Sequence, residues 1–188
     1  TTAREVCEGQ QMDMDFEKRA DVSIAEYLEM IRLKTSVLLG CALQAGAIVA
    51  EANEEEQERL YQIGINIGLG FQLQDDHLDT FGKSGDVGKT IGGDILSNKK
   101  TFLYLKAQEL ASSTQKESFT TLLNAENPQH KIDQTIALYN ALDIPAISQE
   151  KVDFYFQKGI AYLDEINVSE ERKQPLRALI EFLYQRNY

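Results

Sequence analysis

The sequence predicts an all-α protein, and three observations carry that expectation. No stretch alternates apolar and polar residues over the length of a strand. Two cap signals, Ser23 with Glu26 and Asn53 with Glu56, stand immediately before long apolar segments. Within those segments apolar residues recur at three- and four-residue steps, the spacing that lines one face of a helix.

The elements follow in order. "TTAREVCEGQQMDMDFEKR" reads as helix from its third residue, with neither a cap nor an initiator Met before it. The Ser23 box opens a helix over residues 23–50, about 40 Å long at 1.5 Å per residue. Thr35 lies in its middle, where its hydroxyl is expected to bond back to a carbonyl and bend the helix. The Asn53 signal repeats the capping device before "QERLYQIGINIGLGFQLQDDHLDTF", in which Leu60, Ile63, Ile67, Phe71 and Leu78 form the packed stripe. "GKSGDVGKTIGGD" holds five of the twelve glycines and is a loop. Further helices are expected over 99–111, 115–124, 129–142, 149–166 and 170–186, with breaks near Pro128 and Pro145. In the fourth of these, Val152, Tyr155, Phe156, Ile160, Leu163 and Ile166 make the apolar stripe.

Composition narrows the function classes. At 188 residues and 43% apolar the chain fills one domain with a core of its own. A formal charge of −11 without any Lys/Arg block argues against a nucleic-acid partner, because a phosphate backbone needs clustered cations. Cys7 and Cys41 have no metal-site spacing and are expected to be buried free thiols in a reducing, cytoplasmic setting. No membrane span is expected, since "LLGCALQAGAIVA" is short and rich in small residues.

The chemistry concentrates in "FQLQDDHLD". Asp75 and Asp79 are i,i+4 neighbours and Asp76 and Asp79 i,i+3 neighbours, so three carboxylates crowd one side of a helix. A solvated acidic face is the plain explanation; a divalent cation held by carboxylates is the sharper one. Cations nearby favour the sharper reading: Lys89 in the glycine loop, then Lys99 and Lys100. Carboxylates beside ammonium groups suit a diphosphate, because Mg²⁺ takes one or two carboxylates plus phosphate and water oxygens. Lys34 interrupts an apolar helix, and Gln72 lies one turn before the aspartates. Gln10, Gln11 and Asp13 form a third polar group. Neither obvious motif alternative holds: Lys83 stands where a nucleotide P-loop needs glycine, and "DMD" lacks the glycine of a calcium loop. His77 and His130 are isolated, and His77 is expected to be exposed rather than metal-bound.

Taken together, "EGQQMD", "MIRLKTSVLL", "GLGFQLQDDHLD" and "GKTIGGDILSNKKT" resemble the trans-isoprenyl diphosphate synthases, the polyprenyl synthetase family, in order and in approximate spacing. The resemblance implies an isoprenoid-synthase-type helical bundle and a prenyltransferase. Such an enzyme ionises an allylic diphosphate, adds isopentenyl diphosphate and loses a proton. It further implies that Asp75, Asp76 and Asp79 are the second aspartate-rich motif and bind Mg²⁺, Asp75 most directly. Lys34, Lys89 and Lys99 would contact the allylic diphosphate. Thr35 and Gln72 would stabilise positive charge near the reacting carbon, with Asp94, Gln10 and Asp13 in support.

The family's first aspartate-rich motif, its arginine pair and its Gly-Lys-Arg segment have no counterpart in these residues. Residues 1–188 are therefore expected to be the C-terminal part of a single all-α domain, lacking N-terminal helices and inactive alone. A homodimer and a short-chain product, farnesyl or geranylgeranyl diphosphate, are the matching expectations. Two alternatives stand beside this reading: a non-catalytic subunit of a heteromeric synthase, and a terpene cyclase, which would carry an Asn/Ser/Glu metal motif where "DDHLD" stands.

Overall fold

The computed structural model describes residues 1–82 and 91–186. Every regular element among them is helical: α1 (Thr2–Lys18), α2 (Ile24–Ile31), a π-helical turn (Arg32–Ser36), α3 (Val37–Val49), α4 (Glu54–Phe81), α5 (Gly93–Leu96), α6 (Phe102–Leu110), α7 (Ser113–Leu123), α8 (Pro128–Ala141), α9 (Ile144–Glu165) and α10 (Glu170–Tyr184). α4 is the axis of the bundle. α3 and the π-turn pack on one side of it, α9 on another, and α6 and α10 complete its surround. Residues 63–70 are accordingly buried on every face of α4, so the expected stripe is in fact a whole circumference. One core cluster centres on Tyr27, Val37, Ile63, Leu73, Val152 and Phe156, and a smaller one on Leu103, Phe119, Tyr139 and Ile144.

Several sequence expectations are corrected here. The Ser23 capping box forms in full, but at Asn53 only half does: Asn53 accepts from the Glu56 N–H, while the Glu56 carboxylate turns to Arg59 and the Asn167 N–H. Where a bend was expected at Thr35 the helix takes a π-helical turn across Arg32–Ser36, and the Thr35 hydroxyl contacts Gln72 instead of a backbone carbonyl. Helix α6 begins at Phe102, leaving Lys99 and Lys100 in the loop after the unexpected short α5. Pro145 lies in the first turn of α9 rather than before it, where its missing N–H has no helical partner to lose. Cys7 is exposed and Cys41 half-buried, so neither is a core thiol. Residues Ile24–Val49 are, by length and composition alone, apolar enough to cross a membrane, with a mean hydropathy of 1.2 and a third of that window buried. Part of this apolar surface is open: Leu38, Leu39, Ile48 and Val49 are all exposed.

Two close approaches position the polar groups. A Cβ on Gly9 would collide with the backbone of Leu33 and Lys34, so only glycine lets α1 lie against the π-turn. Likewise a Cβ on Gly68 would stand 2.7 Å from Ser36. One helical turn beyond each glycine lies a polar residue, Asp13 after Gly9 and Gln72 after Gly68, and each faces the π-turn.

Candidate active site

The π-turn presents Lys34 and Thr35 to these neighbours. The Lys34 ammonium is 2.6 Å from Asp13 Oδ2. The Thr35 hydroxyl donates to Gln72 Oε1 at 3.5 Å, a weak contact at the limit of hydrogen-bond length. α1, the π-turn and α4 thus bring four of the expected site residues together in two pairs, Lys34 with Asp13 across 21 positions of sequence and Thr35 with Gln72 across 37. Gln10 is exposed on α1.

The three aspartates of α4 do not share one environment. Asp76 is buried, and its Oδ2 accepts a hydrogen bond from the Tyr27 hydroxyl. Its Oδ1 has no hydrogen-bond partner among the described residues and lies 3.6 Å from the Lys99 ammonium. Asp79 is half-buried and accepts from the Asp94 N–H at 2.9 Å, while its carbonyl accepts from the Gly92 N–H at 2.7 Å. Asp75 is partly exposed. Among the described residues, no three carboxylates, histidines or cysteines converge closely enough to hold a metal by themselves. This departs from the expectation of three carboxylates on one side. Asp76 points inward to α2, and one turn later Asp79 is tied to the start of α5.

Lys99 closes the group. Its Nζ bonds Asp94 Oδ2 at 3.2 Å and faces Asp76, so one ammonium bridges two carboxylates. Lys100, adjacent in sequence, does something else: its Nζ lies 2.6 Å from the Phe16 carbonyl, capping the end of α1 as a cation at a helix C-terminus should. Lys89 lies outside the described residues.

Burial and charge set the protonation of these groups. Burial pushes the Asp76 carboxyl up to about 7, although Lys99 and the Tyr27 hydroxyl both pull the other way. Burial likewise raises Asp79, against the Asp94 N–H. For Lys99 burial favours loss of the proton, but Asp76 and Asp94 outweigh it and the ammonium is held more firmly than usual. A cavity of about 410 Å³ opens beside Lys99, and its lining joins polar Asp13, Lys99 and Lys100 to apolar Phe16, Met30 and Tyr104.

Two residues belong elsewhere or were missed. His77 faces away from the aspartates: its Nδ1 is 2.7 Å from Ser148 Oγ on α9, and burial lowers its pKa. It is half-buried, contrary to the exposed position expected. Tyr27 was not singled out by the sequence, yet it is the hydrogen-bond donor to Asp76. The available signal was its chemistry, since a tyrosine in an apolar helix segment places a hydroxyl that needs a partner.

Comparison with known proteins gives the family. The polyprenyl synthetase family pattern matches residues 1–141. A geranylfarnesyl diphosphate synthase of Natronomonas pharaonis is 35% identical over 100% of this chain and 53% of its own length. A short chain isoprenyl diphosphate synthase of Methanocaldococcus jannaschii is 36% identical over 98% of this chain and 55% of its own. The crystal structure of a geranylgeranyl pyrophosphate synthase, 44% identical, superposes with a TM-score of 0.89 over 100% of this chain and 59% of that one. The chain thus spans about half the length of the curated relatives it matches. With the family pattern covering most of the chain and the fold shared throughout, the chain belongs to the polyprenyl synthetase family.

Proposed function

We propose that the protein condenses isopentenyl diphosphate with an allylic diphosphate, and that this chain forms the C-terminal part of the catalytic domain and supplies one wall of the site. The observation that carries the reading is Lys99, an ammonium held between Asp76 and Asp94 beside a cavity that is polar on one part of its lining and apolar on another. Relatives named for geranylgeranyl, geranylfarnesyl and short chain isoprenyl diphosphate synthesis support a short-chain product.

In this reading Lys34 and Lys99 exchange part of their contact with Asp13 and Asp94 for the oxygens of the allylic diphosphate, with Lys89 expected to join them. Charge leaving with the diphosphate is then absorbed by groups already in place, which is where preorganised electrostatics lowers a barrier most. Thr35 and Gln72 offer oxygen atoms to the positive carbon left behind. Mg²⁺ fits at Asp75 and Asp79, the two more open carboxylates, where it would screen the departing diphosphate's charge. Asp76 is read as an anchor for Lys99 and not as a ligand, because its oxygens are buried against Tyr27 and Lys99. Asp94 positions Lys99; Gln10 and Asp13 are second supports. A homodimer belongs to the same proposal, supported by the exposed Leu38, Leu39, Ile48 and Val49. So does a cytoplasmic setting, supported by two free cysteines.

The test uses the full-length protein. Labelled isopentenyl diphosphate is incubated with dimethylallyl, geranyl or farnesyl diphosphate and Mg²⁺, and prenyl diphosphate products are separated by length. Incorporation that stops on chelation of the metal is expected. Binding of both substrates without any elongation would overturn the proposal in favour of a non-catalytic subunit.

A further inference from the structure

We infer that Tyr27 is a positioning residue for diphosphate binding, acting through Asp76 on Lys99; the inference rests on the reading of Lys99 given above. Tyr27 lies on α2, one turn after the Ser23 cap, and is 1% exposed. Its hydroxyl donates to Asp76 Oδ2, the only hydrogen bond made by that carboxylate among the described residues. Asp76 in turn faces Lys99 with its other oxygen, Lys99 bonds Asp94, and the Asp94 N–H bonds Asp79. The contacts run as one chain from α2 through α4 to α5 and the loop after it.

The chain explains how a carboxylate can sit in the core with one oxygen unbonded. A buried carboxyl group needs partners for its oxygens. Tyr27 holds Oδ2, which fixes the rotamer that aims Oδ1 at Lys99 from behind. At 3.6 Å that ion pair is loose, while Lys99 keeps a closer contact to Asp94 and a side exposed to the cavity. Without the hydroxyl, Asp76 loses its one donor. Its Oδ1 is then no longer held toward Lys99 from behind, and the ammonium loses the fixed position between Asp76 and Asp94 from which it faces the cavity. That weakens a diphosphate contact.

The experiment is a double-mutant cycle in the full-length protein, reading calorimetric affinity for inorganic diphosphate with Mg²⁺. Tyr27→Phe should weaken diphosphate binding by about tenfold, the size of one hydrogen bond to a charged group. It should raise the KM for the allylic diphosphate and leave that for isopentenyl diphosphate unchanged. On an Asp76→Asn background the same substitution should change affinity by less than about twofold, since coupled residues fail to add. Additive losses, or equal loss for both substrates, would overturn the inference. Should Tyr27→Phe fail to fold, the double variant decides: recovery of a folded protein with Asp76→Asn affinity supports coupling through Asp76, and continued misfolding assigns the hydroxyl to structure alone. Wild-type elongation, measured in parallel, separates failure here from failure of the proposed reaction.

Discussion

Two lysines tie down the loop between α5 and α6, Lys131 reaching it from α8 and Lys99 from within it, and they are held in different ways. Lys131 of α8 is 6% exposed and meets only neutral oxygens: Asn98 Oδ1 at 2.6 Å, with the Leu96 and Leu123 carbonyls each at 3.3 Å. Lys99, more open, meets carboxylates and borders the cavity. Their proton affinities move apart as the surroundings dictate, Lys131 lowered by burial and Lys99 raised by Asp76 and Asp94 in spite of it. A cation fully satisfied by carbonyls, two of them ends of α5 and α7, is a fastener. A cation shared by two carboxylates at a cavity edge can trade part of that contact for a more highly charged anion.

The contrast can be broken first at the carboxylates. Asp75→Asn keeps the side-chain shape and removes charge, and should lower turnover of the full-length enzyme on the order of 10²–10³-fold with little change in thermal stability. Steady-state assays at saturating Mg²⁺ check this, and activity within threefold of wild type would remove Asp75 from the site.

A pH series sharpens the comparison at the buried member of the motif. The folded pKa of Asp76 is raised to about 7, so folding favours its protonated form. Its contribution to stability is therefore present in full below about pH 4 and is lost as pH rises through about 7. Asp76→Asn mimics the protonated form. In metal-free buffer it should match wild type near pH 4 and exceed it by on the order of 2–4 kcal/mol at pH 8, as read from urea unfolding midpoints. A gap that does not change with pH would show that Asp76 ionises normally.

On the scaffold side, Lys131→Met should act on stability and not on chemistry. Removing the ammonium takes a donor from the Asn98 and Leu96 oxygens and leaves the Leu123 carbonyl with the Asn98 amide alone, and should cost about 1–3 kcal/mol by denaturant titration. KM values should stay within about twofold. Smallest of all, Lys34→Ala should raise the KM for the allylic diphosphate by about tenfold, near 1.4 kcal/mol, and leave isopentenyl affinity alone. Separate titrations of the two substrates check it.

Much of the scaffold was legible because helices announce themselves locally. The Ser23 box, the stripe through Val152, Phe156 and Leu163, and the helix carrying the aspartates all follow from spacing within a few turns. What spacing cannot give is which neighbour a side chain meets. Asp76 and Asp79 look alike in sequence, yet one meets Tyr27, 49 residues earlier, and the other the Asp94 N–H, 15 residues later. The π-turn was sensed as a bend but assigned to Thr35, because a single extra residue leaves no mark on a three-to-four periodicity. Lys131 read as part of a plain helix, since nothing local reveals that three carbonyl-type oxygens from α5, α7 and the loop between α5 and α6 converge on it. The short α5 was hidden inside a glycine-rich stretch.

The most direct test of the central contrast compares the two lysines in one binding measurement. Full-length wild type, Lys99→Met and Lys131→Met are titrated calorimetrically with inorganic diphosphate in the presence of Mg²⁺, at a temperature where all three are folded. The account predicts at least about a tenfold loss of affinity for Lys99→Met and a change within about twofold for Lys131→Met. Equal losses in the two variants, or an unchanged affinity in Lys99→Met, would contradict it.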